Sequence, residues 1–407
     1  MKRLVVTVVK LAVVAALFWF VFRQIPFVDR LVERQGDAVV AEREVEIVGS
    51  WQAEPLRYRT ASGGQGEIRL GAQADGRTVD VAPGFLTYWR NLDPLLFALG
   101  AFCYFLTALI AGARWWWLLR VNGTGVTLVE TLRFTWIGIF FNTVMPGNTG
   151  GDVVKALYIM KRCPGHRVPV LVSVIVDRVL GLGSLAILAA VVVLFALDDF
   201  ADLAVWIWLV IAGVGLLGVV AFSKRLRQVV RLKWLLDRLP PRLGGVLKLV
   251  DQAVFFYRDH KFVIAMSLLV GVVNHVVSVG SVVLIGHALG VGMPTFEYFV
   301  IVPVINILSA IPIAPNGWGF GEALYKGLFS TYGAEHLAGV APAAAAETMG
   351  TRGVALSVLY RLHLTFWSLL GGVFLLFEKD RVTRDDVARE VERERSGDGM
   401  ARRVGDG

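Results

Sequence analysis

The sequence predicts an all-α polytopic membrane protein. It should have about six full spans, two oppositely oriented re-entrant hairpins that suggest an inverted repeat, and a small β-rich extramembrane insert. Three observations predict this fold. The 407 residues are 56% hydrophobic and only 18% charged, and several apolar runs exceed the length that crosses a bilayer. Two apolar segments are interrupted by Pro and Gly and restart as helices, at Asn142 to Lys155 (NTVMPGNTGGDVVK) and at Ala314 to Lys326 (APNGWGFGEALYK). Proline removes a backbone donor and glycine relaxes the backbone, and such a break at membrane depth is tolerated only inside protein or along a cavity. Between the first two apolar runs lies a polar stretch with alternating segments.

Residues 1–22 read as an uncleaved transmembrane anchor. A short basic start precedes Leu4 to Phe22, which ends in Phe18-Trp19-Phe20-Val21-Phe22 and not in the small-residue pattern of a signal peptide. Residues 23–92 form the extracytoplasmic insert, with short strands expected at Val39 to Val48, Glu67 to Leu70 and Arg77 to Val81. Residues 93–380 form the transmembrane domain. Its first span is Leu95 to Gly112, followed by an interfacial belt of Arg114, Trp115, Trp116, Trp117 and Arg120. Leu128 to Met145 enters the membrane and reaches the first break. The helix after it, Asp152 to Met160, is too short to cross and ends in the basic loop of Lys161, Arg162, His166 and Arg167, so this hairpin should open to the cytoplasm.

Val168 to Leu197 then crosses outward and Leu203 to Phe222 returns. From Lys224 to Lys261 ten Lys and Arg stand against three acids, which marks a cytoplasmic face and not a nucleic-acid surface. Phe262 to Leu289 crosses outward. Phe296 to Ile313 enters, with a break expected at Pro303, and Glu322 to Tyr332 leads out. The linker to Ala346 has no Lys or Arg, so the second hairpin should open to the outside. The last span is Gly353 to Phe377. The charged stretch from Glu378, ending in residues 381–407, reads as a disordered cytoplasmic tail. Both termini are therefore expected inside. Cys103 and Cys163 offer neither a disulfide framework nor metal-ligand spacing.

Ionisable groups inside a membrane are costly unless paired or functional. Asp152 and Lys155 share one helical face at i,i+3. Asp177 and Arg178 are adjacent and point about 100° apart, so each needs another partner. Asp177 should reach Lys155 or Arg352, and Arg178 should reach Asp152 or Glu322. The charges form either a structural ion-pair network or a polar cavity for a charged head group. Gly147, Gly150, Gly151, Gly317, Gly319 and Gly321 either expose backbone donors to an anion or only permit tight turns and close packing. Asp152 and Glu322 already complement the helix dipoles there. Glu322 and Lys326 stand at i,i+4, the spacing of a local salt bridge or of a substrate pair. His275 and His363 read as proton carriers or as packing residues, and Asn142, Asn306 and Asn316 as polar cavity residues. No catalytic triad, zinc signature or nucleotide fingerprint is present, so no cofactor is expected.

The segments NTVMPGNTGGDVVKALYI, SVIVDRVLGL, AIPIAPNGWGFGEALY and AETMGTRGVALSVLYRLHLTFWSLLGGV resemble the lysylphosphatidylglycerol synthase transmembrane family. The resemblance covers roughly residues 95–380. It carries the family pattern onto Pro146, Gly147, Gly151 and Asp152, onto Asp177 and Arg178, and onto Pro315, Gly317, Gly319 and Glu322. It implies a flippase of the bacterial inner membrane acting in cell-envelope lipid transport, with a phospholipid or polyprenyl-linked lipid as partner and substrate. The translocation residues would be Pro146, Gly147, Gly150, Gly151, Asp152, Lys155, Asp177, Arg178, Pro315, Gly317, Gly319, Glu322 and Arg352. The soluble aminoacyl-transferase domain of two-domain members has no counterpart here, so synthesis of lysyl-lipid is not expected. A membrane enzyme or accessory subunit of lipid synthesis, and a purely structural partner, are the competing functions.

Overall fold

A computed structural model of the chain describes residues 28–35, 38–51, 53–73, 76–144, 150–163, 165–222, 257, 259–309, 320–337 and 342–378. The anchor at 1–22, most of the basic segment at 223–256 and the tail at 381–407 lie outside the described residues.

The insert is a six-stranded antiparallel sheet in the order β4-β3-β2-β1-β6-β5. Its strands are β1 (Asp29–Gln35), β2 (Ala38–Ile47), β3 (Leu56–Thr60), β4 (Gln65–Ile68), β5 (Gly71–Ala72) and β6 (Thr78–Ala82). Alternation buries one face, with Leu31, Val45, Ile47, Leu56, Val79 and Val81 in the core. Charges face outward and pair across strands. Arg57 and Glu67 are register partners with a 2.9 Å ion pair, and Arg59 faces Glu46 in the same way at 3.5 Å. The buried Asp29 carboxylate accepts from the amides of Ile47 (2.8 Å) and Gly84 (2.6 Å) and from the hydroxyl of Thr87 (2.9 Å). It thereby ties β1 to the short helix α1 (Phe85–Asn91).

The rest of the described chain is mainly helical: α2 (Pro94–Val121), α3 (Leu128–Val144), α4 (Gly150–Arg162), α5 (Arg167–Val193), α6 (Leu197–Phe222), α7 (Lys261–Leu289), α8 (Thr295–Ser309), α9 (Phe320–Gly333), a 3-10 turn at Ala334–His336, and α10 (Pro342–Phe377). Local chemistry sets the starts. Asp93 accepts from the amides of Leu95 and Leu96 at 2.9 and 3.0 Å, with Pro94 at the first helical position. Thr127 and Glu130 form a capping box at α3: the Thr127 amide donates to Glu130 Oε2 at 3.1 Å, and the Glu130 amide donates to Thr127 Oγ1 at 3.3 Å.

Among the described residues, four helices are long and apolar enough to span: Pro94–Val121, Arg167–Val193, Lys261–Leu289 and Ala345–Phe377. The 28 residues of α2 extend about 42 Å, more than the roughly 30 Å hydrocarbon core. Phe200–Gly213 and Thr295–Ser309 are shorter apolar helices. Phe102, Leu269 and Phe366 stand on these helices more than half exposed, as lipid-facing side chains do.

Several boundaries differ from expectation. The RWWWLLR belt continues α2 and does not follow it. Pro303 lies inside α8 without ending it. The last helix begins at Pro342, well before Gly353. Glu378 is buried and paired with Arg133 at 2.7 Å, so the charged tail is fixed at its first residue.

The chain divides into two compact units. The first contains Met1–Thr107, Ser184–Gly213 and Val272–Phe366, and the second contains Ala108–Gly183, Val214–Gly271 and Trp367–Gly407. In the first unit the inward face of the sheet and Trp51 join one apolar core with residues of α5 to α10. In the second unit Trp115, Phe134, Ile137 and Ile159 centre a core of α2, α3 and α4.

Candidate functional site

The second unit holds a cluster of five charges at the start of α4 and the middle of α5. Glycine creates its base. The Gly151 amide donates to Asn142 Oδ1 at 2.8 Å, so Asn142 satisfies an orphan donor of α4. A Cβ on Gly151 would overlap the carbonyl oxygen of Gly138. Gly151 therefore serves close packing of α3 on α4, the plainer of the two roles open to it.

Asp152 and Lys155 then meet as the i,i+3 spacing predicts, with Lys155 Nζ 2.9 Å from Asp152 Oδ1. Lys155 Nζ also lies 3.9 Å from Asp177 Oδ2 and 4.4 Å from the centre of the Trp115 ring. Trp115 is held in place by its Nε1, which donates to Ser173 Oγ at 3.1 Å. Asp177 and Arg178 do turn to different partners. Arg178 Nε donates to Asp152 Oδ2. Asp177 is met by Arg114, whose Nε donates to Oδ1 at 2.9 Å and whose Nη2 donates to the Asp177 carbonyl at 3.2 Å. Arg114, Lys155, Asp177 and Asp152 are all nearly buried, whereas the Arg178 side chain is 41% exposed. Reading the sequence assigned Arg114 to the interfacial belt. The triple Trp beside it masked a buried partner one helix away from Asp177.

Beside this cluster an open cavity of about 610 Å³ is lined by Arg114, Trp116, Trp117, Arg120 and Val270. The Arg120 guanidinium lies 5.2 Å from the centre of the Trp116 ring.

The first unit holds the other acid. Glu322, in the first turn of α9, pairs with Arg361 of α10 at 2.7 Å, and both side chains are largely buried. A Cβ on Gly321 would meet the Arg361 guanidinium, so glycine at 321 leaves room for it in this position. Arg352 has a different role. Its Nη1 donates to the Val291 carbonyl at 2.9 Å, and its guanidinium lies 5.6 Å from the centre of the Trp51 ring in the insert. His363 is buried between Tyr104 and Tyr360, with ring centres 5.3 and 4.8 Å away, a packing position. Pro146, Gly147, Pro315, Gly317, Gly319 and Asn316 lie outside the described residues.

Residues 78–377 match the lysylphosphatidylglycerol synthase TM region. The chain belongs to this family. The family match starts in β6, so the first five strands of the sheet precede it. A UPF0104 membrane protein of Pyrococcus horikoshii is 25% identical over 301 residues, 67% of this chain and 84% of that protein. No solved structure matches.

Proposed function

We propose that the protein flips a lipid with a charged head group across a bacterial inner membrane. Its two Gly-broken helices act as oppositely oriented re-entrant hairpins, and the acyl chains stay in the bilayer. One observation carries this reading. The cluster at Asp152, Lys155, Asp177, Arg178 and Arg114 sets three cations against two carboxylates. Among the described residues of this cluster the cations outnumber the carboxylates by one in a largely buried setting, where a purely structural network would be balanced. Arg178 is the member exposed to an entering ligand, and guanidinium groups match phosphate oxygens in geometry and charge. A phosphate-bearing head group fits that excess. The neighbouring cavity, with its Trp and Arg lining, supports a head group at its edge. Membership of the lysylphosphatidylglycerol synthase transmembrane family agrees with a lipid as substrate.

The test is a flip assay on the full chain reconstituted in vesicles, with labelled phospholipids of anionic, zwitterionic and cationic head group. Arg178→Gln should keep the parent melting temperature, because the side chain is substantially exposed, and lose most transport of phosphate-bearing lipids. Full transport by a well-folded Arg178→Gln protein would sink the proposal.

A further inference from the structure

Away from these charges, the first unit gathers a mixed set of metal donors. Glu297, Glu335 and His336 each present one ligand atom, and the three atoms lie within 4.8 Å of one another. They come from two places in the chain. Glu297 is the only Asp, Glu, Lys, Arg or His of α8 and sits in its first turn, while Glu335 and His336 belong to the 3-10 turn that follows α9. His336 Nε2 contacts Glu297 Oε1 directly and lies 3.7 Å from Glu335 Oε1. Glu297 is more than nine-tenths buried, whereas the Glu335 side chain is 64% exposed.

We propose that this triad binds a zinc-class divalent cation that clips the start of α8 to the end of α9. Zinc takes one imidazole nitrogen and carboxylate oxygens at about 2.0–2.2 Å, which places its donors roughly 3.3–3.6 Å apart. The 3.7 Å between His336 and Glu335 is close to that separation, while His336 and Glu297, in direct contact, would part to admit the ion between them. A water or a substrate oxygen would complete four-coordination. A carboxylate buried at the foot of an apolar helix is stabilised by a cation that bridges it to a second acid. The mixed nitrogen and oxygen donors select zinc and its neighbours over calcium and magnesium, which prefer oxygen alone.

The purified full chain, carrying no histidine tag, is titrated with zinc chloride. Metal content after desalting and melting temperature are then read on the same samples. The parent protein should retain about one zinc per chain and rise in melting temperature by roughly 3 °C or more at saturation. His336→Ala and Glu335→Gln should lose both effects, and Glu335→Gln, a change of similar size at a largely exposed side chain, should leave folding intact. Calcium and magnesium should leave the melting temperature unchanged. Equal zinc retention by the parent and by well-folded Glu335→Gln would overturn the proposal, as would an equal response to calcium.

Discussion

Replacing Asp177 by leucine should cost far more stability than replacing its partner Arg114. Both side chains are about nine-tenths buried and are joined at 2.9 Å. Asp177→Leu leaves Arg114, Lys155 and Arg178 facing the single carboxylate of Asp152. Arg114 then keeps only its bond to the backbone carbonyl of residue 177. Removing one partner of a buried pair costs about 3–5 kcal/mol. Arg114→Leu instead leaves two cations and two carboxylates, and Asp177 keeps Lys155 at 3.9 Å. Its cost is mainly the lost charged hydrogen bond, about 1–3 kcal/mol. The double variant restores the parent's single excess positive charge and should lie above Asp177→Leu. Melting in detergent, followed by intrinsic tryptophan fluorescence, should show the Asp177→Leu drop at roughly twice that of Arg114→Leu. An Arg114→Leu drop as large as that of Asp177→Leu, or a double variant below both, would refute charge balance as what holds the cluster.

Gly151→Ala should destabilise by about 1–3 kcal/mol, because its Cβ overlaps the Gly138 carbonyl oxygen, while Gly327→Ala, with nothing near its Cβ, should be neutral or stabilising by up to about 1 kcal/mol. Melting temperatures of the two variants check this contrast. Arg352→Met should free the insert by removing the contact with Trp51 and the bond to Val291, together about 1–2 kcal/mol, and so speed tryptic cleavage of the sheet roughly 5–30-fold. Arg352→Lys, which keeps the charge over the ring, should recover part of the protection.

The helices were legible because apolar runs of span length have few other readings. The transmembrane family was legible because its motifs flank those runs. The insert was read only in part. Strands β2, β4 and β6 were placed, while β1, β3 and the two-residue β5 were missed. DRLVERQ and LRYRT look like loop because their charges alternate with few apolar residues. Arg30, Arg57 and Arg59 face outward and are compensated by cross-strand pairs such as Arg57 with Glu67 once the register exists, while Asp29 turns inward to three hydrogen bonds. Pro303 misled for a different reason. A proline marks a lost backbone bond, but surrounding packing can carry the helix past it, and Pro303 is buried inside α8. Long-range partners were the least legible. Arg178 could be narrowed to Asp152 or Glu322 because only a few acids compete, whereas Arg114 and Arg361 come from helices whose register on their neighbours no local pattern states.

That last failure changes how the two halves compare. In sequence, each acid-bearing break is followed by a span with an early arginine, which makes Arg178 and Arg352 look equivalent. The contacts say otherwise. Asp152 is held by Arg178, and Glu322 is held by Arg361, so the arginine that answers the acid in the first unit is Arg361. In both units the acid follows a glycine with a close neighbour, Gly151 against the rigid Gly138 carbonyl and Gly321 against the movable end of the Arg361 side chain. The shared device is thus a glycine that admits a close neighbour, an acid in the first helical turn, and an arginine from the following long helix. Arg352 is left outside it. Its guanidinium is turned to Trp51 and the Val291 carbonyl, where it fastens the insert to the helical core of the first unit. A charge that the sequence placed among the translocation residues is spent in the structure on holding the extra sheet, and the sheet is the part of the chain that lies mostly before the family match.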